Sequence, residues 1–125
     1  MILSMRYLTI LLMLISISVK AQTPNHTHVI GECTIQAKDA LHIFSEQVKA
    51  PEFELYVICN QPDWSSVMVK NGLRPSETAL TDWKANRIWL GPKSFIDPLH
   101  LREVIAHELE HLRCHCNLGE RNPHS

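Results

Sequence analysis

The chain has no excess of charge of one sign. Its 125 residues carry a formal net charge of −1 at pH 7, so the strongly basic surface typical of nucleic-acid-binding proteins is missing. The sequence shows no internal repeat and no low-complexity stretch, which excludes repeat architectures. Its length allows one domain at most. We therefore expect a small globular protein with no nucleic acid among its partners.

A long apolar run occurs only at the N-terminus. Arg6 precedes the run Tyr7–Val19, and Val19-Lys20-Ala21 places small residues at the positions of a cleavage site. This arrangement predicts a secretory signal peptide over residues 1–21, cut before Gln22. Because the run is short for a membrane span, an uncleaved anchor is the lesser alternative. We expect a periplasmic or secreted mature chain with no stable membrane span and, without the two basic residues of the leader, a net charge of −3.

The chain has only four cysteines, but their state depends on the cellular compartment that the protein occupies. An exported chain meets oxidising conditions, so at least one disulfide is expected. A bridge across one residue within a helix would be strained. We therefore expect one of the first two cysteines to join the end of the C-terminal helix to the body of the domain, with zinc ligation by one of the last two as the alternative. The four residues are Cys33, Cys59, Cys114 and Cys116.

The clearest chemical signal is the segment His107–His111, which has the pattern H-E-x-x-H. Asp97 is a good N-cap and Pro98 suits the first helical position, so both predict that a helix begins upstream of the motif. Histidines four residues apart project from one helical face, about 6 Å apart along the axis. Both imidazoles can then reach one metal ion, with Glu108 beside them to polarise a bound water. The alternative is a solvent-facing helix with incidental histidines, since this composition gives the pattern by chance about one time in thirty.

The rest of the chain predicts an α+β domain over residues 34–125, preceded by a flexible N-terminal segment, 22–33. Apolar residues at helical spacing predict a helix from Thr34 to Lys49. Helices on one face of a three- or four-stranded mixed sheet ending in a hairpin are expected, followed by the motif helix. The candidate strands are Phe53–Cys59, Ser66–Lys70, Thr78–Asp82 and Arg87–Leu90.

This arrangement resembles the zincin metallopeptidases. The hairpin Ala79–Asp82 with Ile88–Leu90 and the helix segment Val104–Leu112 carry the resemblance. It implies a minimal zincin-like domain that hydrolyses peptide bonds, with Zn²⁺ held by the two motif histidines and Glu108 as the catalytic base. It also implies that Ala79–Asp82 is an exposed edge strand that pairs with an extended peptide or protein substrate.

The resemblance stops after the motif, so the third zinc ligand is open. Metzincin-like members have a glycine three residues after the second histidine and a ligand three further on, where this chain has Cys114 and Asn117. Gluzincin-like members take a glutamate from a later helix. Only fourteen residues follow His111 here, and Glu120 is the sole carboxylate among them.

His115 is the nearest further imidazole to the motif and is placed slightly ahead of Glu120 as the third ligand. In an unbroken helix, however, His107 and His115 lie about 12 Å apart along the axis, too far to share one ion. His115 would therefore ligate only if the helix unwinds after Leu112. Otherwise a chain reversal near residues 117–119 would bring back Glu120 or His124.

Two other interpretations compete with a peptidase. One is a catalytically inactive zinc-binding or partner-binding module on the same fold, favoured by the short tail after the motif. The other is a disulfide-stapled structural domain with no metal. Within the motif helix, Glu110 is expected to be a solvated charge, and His100 is either an oxyanion donor or simply exposed.

Overall fold

A four-stranded mixed sheet and three helices make up residues 24–47 and 52–117, the part of the chain that the computed structural model describes. The α+β class is therefore confirmed, and the predicted signal peptide, 1–21, lies outside the described residues. Within these ranges, no helix is both long and apolar enough to cross a membrane. The elements are β1 His26–Ile30, α1 Thr34–Glu46, β2 Glu54–Ile58, α2 Gln61–Lys70, β3 Ala79–Asp82, β4 Arg87–Leu90, a 3-10 turn Pro92–Phe95 and α3 Pro98–Cys114.

The sheet has the strand order β1-β2-β4-β3. β2 runs parallel to β1 and to β4, with Glu54 opposite both His26 and Arg87. β3 is antiparallel to β4, with Ala79 opposite Leu90, which confirms the predicted hairpin. β3 therefore lies at one edge of the sheet, as predicted, and β1 lies at the other.

Helices cover both faces of the sheet, so the prediction that they all lie on one face is wrong. Leu55 and Val57 of β2 belong to the core shared with α1 and α3. Ile58 belongs to a second apolar cluster, with Trp64 and Met68 of α2. The alternation of side chains along a strand sends successive residues to opposite faces. The sheet thus separates α2 from the two helices that carry the main core.

The predicted flexible segment contains β1, and the prediction is wrong for residues His26–Ile30. This strand pairs with β2 along its whole length, and just before it the Asn25 amide donates to the Phe53 carbonyl at 2.8 Å. Three of its five residues are exposed. Backbone pairing holds this edge strand although it has no regular apolar face, so no alternating pattern is present in its sequence.

The segment Ser66–Lys70, predicted as a strand, is the second half of α2. The Asn60 side chain accepts a hydrogen bond from the Asp63 amide at 2.8 Å, which caps the helix. Trp64 and Met68 lie four residues apart and are both fully buried. A capped start and helical spacing of the two large apolar residues outweigh the local strand propensity of the two valines.

The structure pairs Cys33 with Cys59 and Cys114 with Cys116, with Cα–Cα distances of 5.7 and 5.2 Å. A disulfide is therefore present as predicted, but the expected bridge from the helix end to the body of the domain is wrong. α3 ends at Cys114, and His115 is left-handed at φ 54° and ψ 47°. The chain reverses there, so the last two cysteines do not lie along one helix, which was the assumption behind the expected strain.

Tyr56 lies in a stack of rings that crosses three neighbouring strands. Its ring centroid is 4.5 Å from that of His28 and 4.9 Å from that of Trp89. Its hydroxyl donates to the Glu54 carboxylate at 3.0 Å. The pKa of Tyr56 is raised above the ordinary value of 10.0. Burial is the larger cause, and the hydrogen bond to Glu54 is the second.

We therefore expect a phenolate titration with its midpoint above 10.0, followed by ultraviolet absorbance. A chain beginning at Gln22 contains Tyr56 as its only tyrosine, so the signal has one source. Because the folded pKa is raised, the associated stability is present below the unfolded pKa and is lost as pH rises through the folded value. Glu54→Ala should lower the midpoint, and a wild-type midpoint at or below the ordinary value would contradict the assignment.

Candidate metal centre

α3 begins where its capping residues predict. Asp97 accepts a hydrogen bond from the His100 amide at 2.8 Å, and Pro98 is the first helical residue. Leu101, Val104, Ile105, Leu109 and Leu112 of the helix are buried in the main core. This packing fixes the rotation of the helix and therefore the direction in which the motif side chains project.

The two motif histidines lie side by side. Their Nε2 atoms are 3.1 Å apart, and their rings meet edge to face at 88°. One ligand atom from each of His107, Glu108 and His111 fits within a span of 4.8 Å. Zinc–nitrogen bonds of about 2.0–2.1 Å in a tetrahedral site place two nitrogens about 3.3 Å apart. The separation of the imidazoles therefore fits two ligands of one ion, as the spacing in the sequence predicts.

The carboxylate of Glu108 is buried under the edge strand. The side chain is 1% exposed, and Thr81 of β3 donates its hydroxyl to Glu108 Oε1 at 3.0 Å. Burial of a carboxylate is costly unless hydrogen bonds compensate it. Thr81 therefore fixes the carboxylate at the point where α3 passes beneath β3.

Removal of the Thr81 hydroxyl is expected to lower the stability of the fold. We expect Thr81→Val to lower the free energy of unfolding by about 1.5–3 kcal/mol, the range for hydrogen bonds to charged groups. Denaturant unfolding measures this change. Thr81→Ser is the matched control, because it keeps a hydroxyl and should stay close to wild type. Equal stability of the valine and serine variants would show that the contact contributes nothing.

The His111 ring is also held at Nδ1, the nitrogen that does not face His107. Its Nδ1 lies 2.9 Å from the carbonyl oxygen of Cys116. A carbonyl can only accept, so the proton of a neutral imidazole is on Nδ1 and the lone pair is on Nε2. That is the arrangement in which a histidine binds metal through Nε2.

The structure does not bring His115 into this group. α3 continues past Leu112 to Cys114, so the unwinding that ligation by His115 requires does not occur. The His115 ring lies 5.5 Å from that of Trp83 instead. Glu120 and His124, the rival ligands, lie outside the described residues, and the third ligand stays a prediction.

The other side chains considered for the site lie where they cannot serve as metal ligands in this cluster. Cys114 and Cys116 are bonded to each other, which leaves neither thiolate free to ligate zinc. Glu110 is exposed and lies 3.6 Å from Arg113 in a surface ion pair. His100 lies about 10 Å from His107 along the helix axis, too far to join the group.

Thr81 and the backbone of Cys116 are parts of the site that were not predicted from the sequence. Thr81 lies 27 residues before Glu108, and nothing in its local sequence distinguishes it from any other strand threonine. Every residue has a backbone carbonyl, so the residue type at position 116 does not indicate this contact. Only the path of the folded chain shows that the Cys116 carbonyl lies beside His111.

A cavity of about 350 Å³ lies beside the edge strand, on the side of the sheet that α2 covers. Leu80 and Trp89 line it from the sheet, and Met68 and Leu73 line it from α2 and the loop that follows. Thr81 also reaches this cavity. The edge strand thus lies between the motif and a cavity large enough for a side chain of a bound peptide.

Comparisons with models of known families, with curated proteins and with solved structures gave no match. The geometry of the cluster is therefore the basis for saying what kind of site it is. It consists of two imidazoles and a buried carboxylate on one helix, placed beneath an edge strand. Such a cluster could hold a metal ion.

Proposed function

We propose that the protein is an exported zinc-dependent metallopeptidase on a zincin-like fold. The observation that carries this proposal is the 3.1 Å separation of the His107 and His111 Nε2 atoms, with Glu108 in the same cluster. Histidine pairs of this geometry suit zinc among the common divalent ions. When bound, zinc would supply a water activated at neutral pH and would polarise the scissile carbonyl.

Glu108 would act as the general base and then as the general acid. Its carboxylate would accept a proton from the attacking water and pass it to the nitrogen of the leaving amine. The hydrogen bond from Thr81 to Oε1 holds the carboxylate in one orientation.

The edge strand would bind the substrate. β3 pairs only with β4 among the described strands, so its outer backbone groups can pair with an extended peptide by strand addition. Substrate side chains would then alternate between the side of the motif and the side of the cavity lined by Leu80 and Trp89. This arrangement would place a peptide bond close to Glu108, because Thr81 of the same strand contacts Glu108.

Export is supported by the disulfides. Both cysteine pairs are bonded, and no cysteine is free. Such bonds persist in oxidising compartments and are rare in the cytosol. Together with the N-terminal apolar run, they favour a periplasmic or secreted protein.

An inactive zinc-binding or partner-binding module is the second candidate. The described residues offer one cluster of metal-ligating side chains, and that cluster contains only two imidazoles. If Glu108 itself completes the coordination, no carboxylate of the cluster is left to act as the base.

Zinc content and peptide hydrolysis separate these functions. We expect a chain beginning at Gln22 to bind one zinc ion and to cleave casein or a quenched peptide library, with cleavage abolished by a chelator. His107→Ala should lose both properties. Zinc binding without cleavage of any peptide would favour the inactive module, whereas a folded protein without zinc would favour the disulfide-stapled structural domain.

A further inference from the structure

The chain reverses immediately after the motif helix. We call residues Cys114–Asn117 the C-terminal turn. Within it, the disulfide joins Cys114 to Cys116, and His115 between them is left-handed, with φ 54°. The amides of His115 and Cys116 both point back to the His111 carbonyl, the latter at 3.4 Å. The turn therefore folds back over the last turn of α3, onto the second motif histidine.

A left-handed backbone is unfavourable for a residue that carries a Cβ atom. His115 has no glycine-like freedom, so its conformation needs support from the surrounding structure. The covalent bridge across His115 provides that support, since it holds the Cα atoms of Cys114 and Cys116 at 5.2 Å. Asn117 provides a second attachment, accepting a hydrogen bond from the Trp83 indole N–H at 2.8 Å.

The turn delivers one group to the metal centre, the carbonyl of Cys116. That oxygen lies 2.9 Å from Nδ1 of His111, while Nε2 of the same ring faces His107. A ligating histidine whose other nitrogen donates to a fixed acceptor has its tautomer and ring orientation set in advance. The contact therefore prepares His111 for a metal before any metal arrives.

We propose that the Cys116 carbonyl is the positioning group for His111, and that the Cys114–Cys116 disulfide holds it there. The metal affinity of the centre then depends on this bridge, although neither sulfur touches the metal. This inference rests on the proposed zinc binding but not on peptidase activity. It assigns the short bridge to the site, and the Cys33–Cys59 bridge to the body of the fold.

The test compares the Cys114→Ser/Cys116→Ser variant with wild type in buffers free of thiols. Zinc affinity is measured by competition with a chromophoric chelator, and thermal unfolding followed by circular dichroism shows that each protein is folded. We expect the zinc Kd to rise about 10- to 100-fold, the usual effect of removing an outer-shell partner. Cys33→Ala/Cys59→Ala is the matched control, because it removes a bridge remote from His111 and should keep the affinity of the folded protein.

A second readout is independent of zinc. Long-range nitrogen–proton NMR spectra of the metal-free protein should show the His111 proton on Nδ1 in wild type and a mixture of tautomers without the bridge. Asn117→Ala keeps the bridge, removes the second attachment and should cause a smaller change in both readouts; it also serves if the serine variant does not fold.

A Kd within about twofold of wild type, in a folded serine variant, would overturn the proposal. An unchanged His111 tautomer would overturn it equally, whatever the affinity. If wild type binds no zinc, the proposed function fails, and the tautomer alone then decides whether the bridge positions His111. If zinc binds but no peptide is cleaved, the peptidase proposal fails and this one is still decided by the two readouts.

Discussion

Glu108→Gln is expected to reduce peptide hydrolysis by about 10²- to 10⁴-fold, the usual contribution of a general base, while one zinc ion stays bound. Glutamine has nearly the same shape and can still accept the Thr81 hydroxyl, whose bond to Glu108 Oε1 is 3.0 Å long. It cannot accept a proton from water at neutral pH. The chemical step should therefore fail in a protein whose fold and imidazole pair are intact.

Glu110→Gln is the matched control for that variant. It makes the same substitution two residues along the same helix, at an exposed side chain that forms a surface ion pair with Arg113 at 3.6 Å. Its hydrolysis rate and zinc content should equal those of wild type. Full hydrolysis by the Glu108 variant would remove that residue from catalysis, and loss of its zinc would make Glu108 a ligand.

Trp64→Ala is expected to lower the free energy of unfolding by about 3–5 kcal/mol, the range for truncation of a large buried aromatic residue. Trp64 is fully buried beside Ile58 and Met68. Its indole N–H donates to the Glu77 carbonyl at 2.8 Å. Denaturant unfolding measures the loss, which is a large share of the roughly 5–15 kcal/mol typical of a small domain.

The tightness of this packing is visible at Gly91, where an added Cβ would lie 2.5 Å from a Trp64 ring atom. Gly91 therefore has no side chain that could move into the space left by a smaller residue at position 64. Trp64→Phe is the control, since it keeps most of the apolar volume and loses the hydrogen bond, and it should cost about 1–3 kcal/mol. A loss below about 1 kcal/mol for the alanine variant would show that α2 contributes little to stability.

Features with strong local signals were predicted correctly from the sequence. The motif helix has Asp97 and Pro98 at its start, and the hairpin has alternating strands on either side of a short polar turn. The helical period alone brings His107 and His111 together, which is why their geometry follows from their spacing. In each case the information lies within a few residues of the feature.

Features that depend on distant residues were predicted wrongly or were missed. β1 is a strand because β2 lies beside it. α2 does carry local helix signals, the Asn60 cap and the spacing of Trp64 and Met68, but its two valines favoured a strand, and the helix packs against the sheet through these two buried side chains. The bridge from Cys114 to Cys116 accompanies a left-handed conformation of His115, which is uncommon for residues other than glycine. These outcomes are decided by tertiary contacts that compete with local propensity.

The bridge between Cys33 and Cys59 has a consequence for the speed of folding. It joins the chain just after β1 to the chain just after β2, across a sequence separation of 26, and so spans the whole crossover between two parallel strands. Parallel pairing of distant segments is slow, because loop-closure entropy is lost before the contacts compensate it. In the chain-entropy account, a bridge of this span removes about 3.5 kcal/mol of that entropy from the unfolded chain. The oxidised chain should therefore refold faster than the reduced one, since its first two strands are already held near each other when β4 arrives to pair with them.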